Sequence, residues 1–169
     1  YFRVVFNDYW HSGLGNKSSE RLNKLDLKFK KINENGKYII VSEPTLDAMN
    51  YFNLHSWAEL TVKEIKKFTD RKIVFHNRTA SISLKNLLKN AWAFVSDHSS
   101  AGFTAMQEGV PAYFTNKTLK NIGSLKDIEK HEINYSVFNN LAYEQWTLNE
   151  IKNGECWEYL TKTINEEKK

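Results

Sequence analysis

Four short apolar runs, each closed by a polar turn, constrain this chain more than any other feature: "KYIIVSEP", "RKIVFHNR", "WAFVSDHSS" and "VPAYF". Each is the length of a strand and rich in β-branched and aromatic residues. Helical periods lie between them. "SWAELTVKEIKKF" places Trp57, Leu60, Ile65 and Phe68 on one face, with Ser56 and Glu59 spaced as a capping box. "SLKNLLKNA" turns Leu84, Leu87 and Leu88 inward, and a helix from Ser100 to Glu108 stops at Gly109. Strands alternating with helices of roughly ten residues are βαβ units, which build a mostly parallel sheet. The predicted fold is α/β and Rossmann-like, with helices on both faces of the sheet.

The flanks read less sharply. "FRVVF" predicts a strand and "NDYWHSGLGNKSSER" a loop, while Leu22, Leu25, Leu27, Phe29 and Ile32 fit either a helix or extended chain up to Gly36. Beyond Gly123 the period is helical: Val137, Phe138, Leu141, Ala142 and Gln145 share a face, and Thr147 with Glu150 spaces a second capping box. Trp157, Leu160 and Ile164 mark a last amphipathic helix before a frayed tail at 165–169. At 169 residues the expectation is one domain over 1–169.

Composition excludes several classes. A hydrophobic share of 41% is that of a chain with a core, and no run approaches the ~18 apolar residues of a membrane helix. The single cysteine, Cys156, allows no intrachain disulfide and no zinc spacing, which favours a cytosolic setting. A net charge of +4 suits an anionic ligand, but lysines interspersed with glutamates read as a solvated surface. The aromatics lack the basic interleaving of an RNA-binding motif, so nucleic acid is the less favoured partner. Tyr1 in first position suggests a trimmed end or the boundary of a longer protein. His11, His55 and His131 have no partners at metal spacing.

In parallel sheets ligands sit beyond the carboxyl ends of the strands. Two polar clusters fall there and are expected to face one cleft: His76, Asn77 and Arg78, and Asp97 to Ser100. The helix start after Ser100 offers backbone N–H groups to a phosphate, Ser99 and Ser100 add hydroxyls, and Gly102 permits close approach. Alternatively, a serine here only caps the helix. Arg78 can hold phosphate in a fork or make a surface ion pair. His98 can bind a phosphate or sugar hydroxyl, act as acid or base, or merely pack against a carbonyl. Adjacent side chains on extended chain point to opposite sides, so Asp97, His98 and Ser99 are not expected to converge as a triad. A rival reading is a serine hydrolase: Ser100 holds the Ser-x-Gly half of a nucleophile elbow, with Asp127 and His131 following in order. His98 stands where that elbow normally has glycine.

The corner "VSDHSSAGFTAMQEGVPAYF" resembles the nucleotide-sugar corner in the C-terminal half of GT-B glycosyltransferases. With "WAELTVKEIKKFTDRKIVFHNR" and "LAYEQWTLNEIKNGECWEYL" it is similar to phage and bacterial proteins related to capsular polysaccharide and Kdo transferases, over about Gly36 to Leu160. The resemblance implies transfer of a sugar from a nucleotide-activated donor, a CMP-sugar by family analogy, to a glycan or other hydroxyl acceptor, with no metal and no other cofactor. It puts Ser99 and Ser100 on the donor phosphates, Arg78 near the same anion, Gly109 and Pro111 in the turn shaping the pocket, and Tyr143, Gln145 and Trp146 in the closing signature. Thr104 stands where many retaining members carry glutamate. Only one of the two GT-B halves fits in this length, so the acceptor side is expected on a second domain or subunit, or on another copy of the chain. Asp8 and His98 are the candidate bases. A non-catalytic nucleotide-sugar-binding module is the alternative.

Overall fold

The computed structural model describes residues 1–4 and 16–167. In chain order the elements are β1 (Phe2–Arg3), α1 (Glu20–Lys24), β2 (Tyr38–Ser42), α2 (Leu46–Phe52), α3 (Trp57–Ile65), β3 (Lys72–His76), α4 (Leu84–Leu88), β4 (Ala91–Ser96), α5 (Ala101–Gln107) and β5 (Ala112–Phe114). Two 3-10 turns, Lys120–Ile122 and Leu125–Asp127, precede α6 (Val137–Ala142), β6 (Gln145–Trp146), α7 (Leu148–Lys152) and α8 (Glu155–Glu167). The chain divides into two compact units, residues 27–135 and residues 1–26 with 136–169.

The first unit is an α/β, Rossmann-like layer structure around a parallel sheet of order β3-β2-β4-β5. Ile39, Ile40 and Val41 are all fully buried, so both faces of β2 are covered, as βαβ crossovers require. Ile39, Val41, Ala93, Val95 and Tyr113 form one face and pack with Trp57 and Ile65 of α3. On the other face Phe114 meets Phe103 of α5, with ring centroids 5.2 Å apart. β4 carries one extra residue against β2: Tyr38 pairs with Ala91 and Ile39 with Ala93, leaving Trp92 between them.

The ambiguous segment is extended beyond Asp26, and α1 is only five residues long. Its extended part is held against the end of α5 by Lys30 N–H to Gln107 O at 2.8 Å and Asn33 N–H to Gly109 O at 2.9 Å. Gly109 terminates α5 at φ 82°, where a Cβ would lie 2.1 Å from the Lys31 carbonyl oxygen.

The amino end of the sheet is closed by a polar clasp. Trp92 has the Arg71 guanidinium 3.5 Å from its ring centroid and the His131 imidazole stacked at 3.6 Å. Arg71 pairs with both oxygens of Glu129 and donates to the Gly36 carbonyl. Thr69 also donates to Glu129.

In the second unit, β1 pairs antiparallel with β6, and Val4 N–H donates to Glu144 O at 3.0 Å. The rest of the run "FRVVF" lies outside the described residues. Arg21 forms the centre: it bonds both Glu150 oxygens and the Ala142 carbonyl, and covers the Trp146 ring at 4.0 Å. The Thr147–Glu150 capping box forms as predicted. The Arg21 hydrogen bond offsets partial desolvation and, with the Thr147 bonds, holds the Glu150 carboxyl down at about 2.

Five local expectations are corrected. Ser56 makes no capping bond, because at φ −94° and ψ 6° it lacks the extended backbone that aims a cap oxygen, and Glu59 pairs instead with Lys63. Leu60 is 61% exposed, since the inward stripe of α3 is Trp57, Thr61 and Ile65. Gln145 leaves the helix face because α6 ends at Ala142 and the chain pairs with β1. Trp157 is 72% exposed, as α8 buries Cys156 instead; the helix also runs through 165–167 of the expected tail.

Candidate functional site

From β2 the chain crosses to β3 on one side and then to β4 on the other, so the carboxyl ends of β2 and β4 form the switch point where open α/β sheets take ligands. Ser42 and Ser96, paired in register, end the two strands there and are buried. The ladder then continues past the sheet: Thr115 N–H donates to Ser96 O and Asn116 N–H to Asp97 O, both at 3.1 Å. That pairing lays the segment after β5 along the one after β4 and brings Thr115 to Asp97.

A continuous hydrogen-bond chain results. Trp57 Nε1, on the first residue of α3, donates to Thr115 Oγ1 at 2.6 Å. Thr115 Oγ1 donates to Asp97 Oδ1 at 2.8 Å, and Asp97 Oδ2 meets His98 Nδ1 at 2.6 Å. The Asp97–His98 contact corrects the expectation that these neighbours diverge. The chain bends at both residues instead of staying extended, and the side chains converge. Burial would raise the Asp97 carboxyl, but bonds from His98, Thr115 and Asn116 and the charge of His98 together hold it below its ordinary value. The imidazole edge faces the Phe52 ring of α2, 5.5 Å between centroids, and its side chain is 11% exposed.

The serines divide the local work. Ser99 Oγ accepts from Ala101 N–H at 3.3 Å, while Ser100 is exposed and makes no capping bond. Gly102 lies so close under Phe114 that a Cβ would be 2.5 Å from the ring. Thr104 is exposed on α5.

The two polar clusters share the carboxyl edge but not a position on it. β2 lies between β3 and β4, so their ends stand about 10 Å apart. His76 is half-buried and its Nδ1 has no partner among the described residues; burial pushes its pKa down. Asn77 closes a local turn onto Thr79, and Arg78 is exposed with no ion pair among the described residues. Gly109 and Pro111 lie at the far end of α5 and the start of β5, the amino side of the sheet, away from this corner. Gln145 belongs to the other unit, and Asp8 lies outside the described residues. Ser100 and His131 are at opposite ends of the sheet, so the hydrolase triad does not assemble.

The sequence reading missed Trp57, Thr115 and Phe52, and missed Asp97 as an orienting group. Only Thr115 had a visible signal, as the first polar residue after the last strand. Among the described residues no group of His, Cys, Asp and Glu could hold a metal, and no helix is long and apolar enough to cross a membrane. Compared with known proteins, the chain matches no family model, no curated protein and no solved structure.

Proposed function

We propose that this chain is the donor-binding half of a glycosyltransferase, moving a sugar from a nucleotide-activated donor to a hydroxyl acceptor with His98 as base. One observation carries the reading: a hydrogen-bonded Asp97–His98 pair, its carboxylate buried, stands at the switch point of a doubly wound parallel sheet. In the transfer, the acceptor oxygen attacks the anomeric carbon while its proton passes to His98 Nε2. The bond from that carbon to the donor phosphate breaks, and the nucleotide leaves with the electron pair. Asp97 stabilises the imidazolium that forms, and the Ser99 and Ser100 hydroxyls, with Arg78 reaching across from the end of β3, supply donors for the leaving phosphate. Resemblance of the corner to GT-B enzymes supports the choice of donor.

Thermal-shift measurements with CMP-, UDP-, GDP- and dTDP-sugars test the donor site, since a ligand held only by the native state raises its melting temperature. One nucleotide class is expected to stabilise the protein, and Ser99→Ala/Arg78→Ala to remove the shift. Asp97→Asn should retain the donor shift and lower transfer by roughly 10²–10⁴-fold. Donor binding with no transfer to any acceptor would favour a non-catalytic module. No shift at millimolar donor would sink the reading.

A further inference from the structure

We propose that Trp57 and Thr115 are positioning residues that act through Asp97 to hold His98 as its Nδ1–H tautomer, making Nε2 the basic nitrogen of the site. This deepens the transferase reading and rests on it for its chemical purpose, while the geometry stands without it.

Each proton in the chain is assigned by elimination. An indole Nε1–H only donates, so at 2.6 Å the Thr115 oxygen must accept. That leaves the Thr115 hydroxyl proton to be donated, and Asp97 Oδ1 lies 2.8 Å away. An ionised carboxylate only accepts, so Asp97 Oδ2, 2.6 Å from His98 Nδ1, requires a proton on that nitrogen. The neutral ring then keeps its lone pair on Nε2. Trp57 and Asp97 are 7% and 8% exposed, so water cannot readily replace a bond lost from the chain. No lysine or arginine competes for Asp97 among the described residues, which leaves its charge directed at the imidazole. The polarity is fixed from the indole end: reversing the Thr115 hydroxyl would set its proton against the Trp57 N–H and take one of its donors from Asp97.

The purpose of such a chain is a base with one orientation. His98 could otherwise turn its ring or exchange tautomers, and each alternative would put an N–H where a lone pair must receive the acceptor proton. Trp57 opens α3 and Thr115 follows β5, so the imidazole is referenced to the packing on both sides of β4.

The experiment is ¹⁵N-resolved NMR of the histidine rings in the protein without donor, at a pH where His98 is neutral. The wild type should show His98 in the Nδ1–H form. Thr115→Val should lose that single-tautomer signature and give a mixture, Trp57→Phe should lose it partly, and Thr115→Ser should restore it. Circular dichroism establishes that each variant is folded. Should the valine variant not fold, Thr115→Ala takes its place with the same expected loss. An Nε2–H wild type, or a wild-type signature in folded Thr115→Val, would overturn the proposal. A failed donor screen with the Nδ1–H result intact would remove the transferase reading and leave the positioning role standing.

Discussion

At the amino end of the sheet a tryptophan, a histidine, a threonine and a carboxylate gather around Arg71; at the carboxyl end the same four types gather with no lysine or arginine among them. In the first set Glu129 is neutralised by a guanidinium, Thr69 spends its hydroxyl on the same carboxylate, and the Trp92 indole donates to the Ile128 carbonyl at 2.9 Å. Its histidine stacks on Trp92, with Nε2 on the Asn33 carbonyl oxygen and Nδ1 without a partner among the described residues. In the second set the indole, hydroxyl, carboxylate and imidazole are in series. Paired in parallel, these groups close a structure. Joined in sequence, they aim one nitrogen.

The largest test of this contrast uses the glycine at each end. A Cβ on Gly36 would lie 2.4 Å from both the Ala91 carbonyl oxygen and Trp92 Cα, backbone that cannot yield. Gly36→Ala should cost about 3–5 kcal/mol by urea denaturation. Gly102→Ala meets only the Phe114 ring, which can swing, and should cost about 1–2 kcal/mol. Equal losses would show that the two ends are equally rigid.

The ends should also separate by pH. Burial, with the charge of Arg71, lowers the His131 pKa from its ordinary 6.5, against the Asn33 hydrogen bond, Glu129 and Glu34, which raise it. The unfolded chain therefore binds a proton that the folded one refuses. The stability due to neutral His131 is fully present above about pH 6.5 and is lost as pH falls toward the lower folded value. Asp97 has the opposite charge type: its stabilisation persists above its ordinary 3.8 and disappears only as pH falls through the depressed folded value. Between pH 7 and 5 the urea midpoint should fall, with His76 adding to the same trend, and His131→Gln should flatten the curve. An unchanged slope would remove His131 from the account.

The smallest effect lies at Phe52. Phe52→Ala uncovers one edge of His98 without touching the hydrogen-bond chain, so modification of His98 by diethyl pyrocarbonate should quicken a few-fold with the tautomer unchanged. A shift of tautomer instead would make Phe52 part of the orienting structure.

The parallel sheet was legible because Ile39, Ile40 and Val41 advertise a strand buried on both faces, and Gly109 a helix stop. His98 and the serines after it were legible as a polar strand end. The partners of Asp97 were not, because the bend at Asp97 and His98 has no glycine or proline to announce it. Trp57 and Thr115 were hidden for another reason: each reads locally as a core indole or a loop hydroxyl, and only strand order brings them together. Trp157 misled because the period of a helix does not say which side meets the rest of the fold.

The bond from Trp57 to Thr115 joins positions 58 residues apart, with β3, β4 and β5 all laid down between them. Closing a loop of that length costs entropy that only the intervening strands can offset. In a nascent or half-folded chain the local bend alone brings Asp97 toward His98, with nothing to fix the hydroxyl that holds the carboxylate. An aimed imidazole is therefore expected to form late, after β3, β4 and β5 are in place, and loss of its tautomer should report loosening of the sheet.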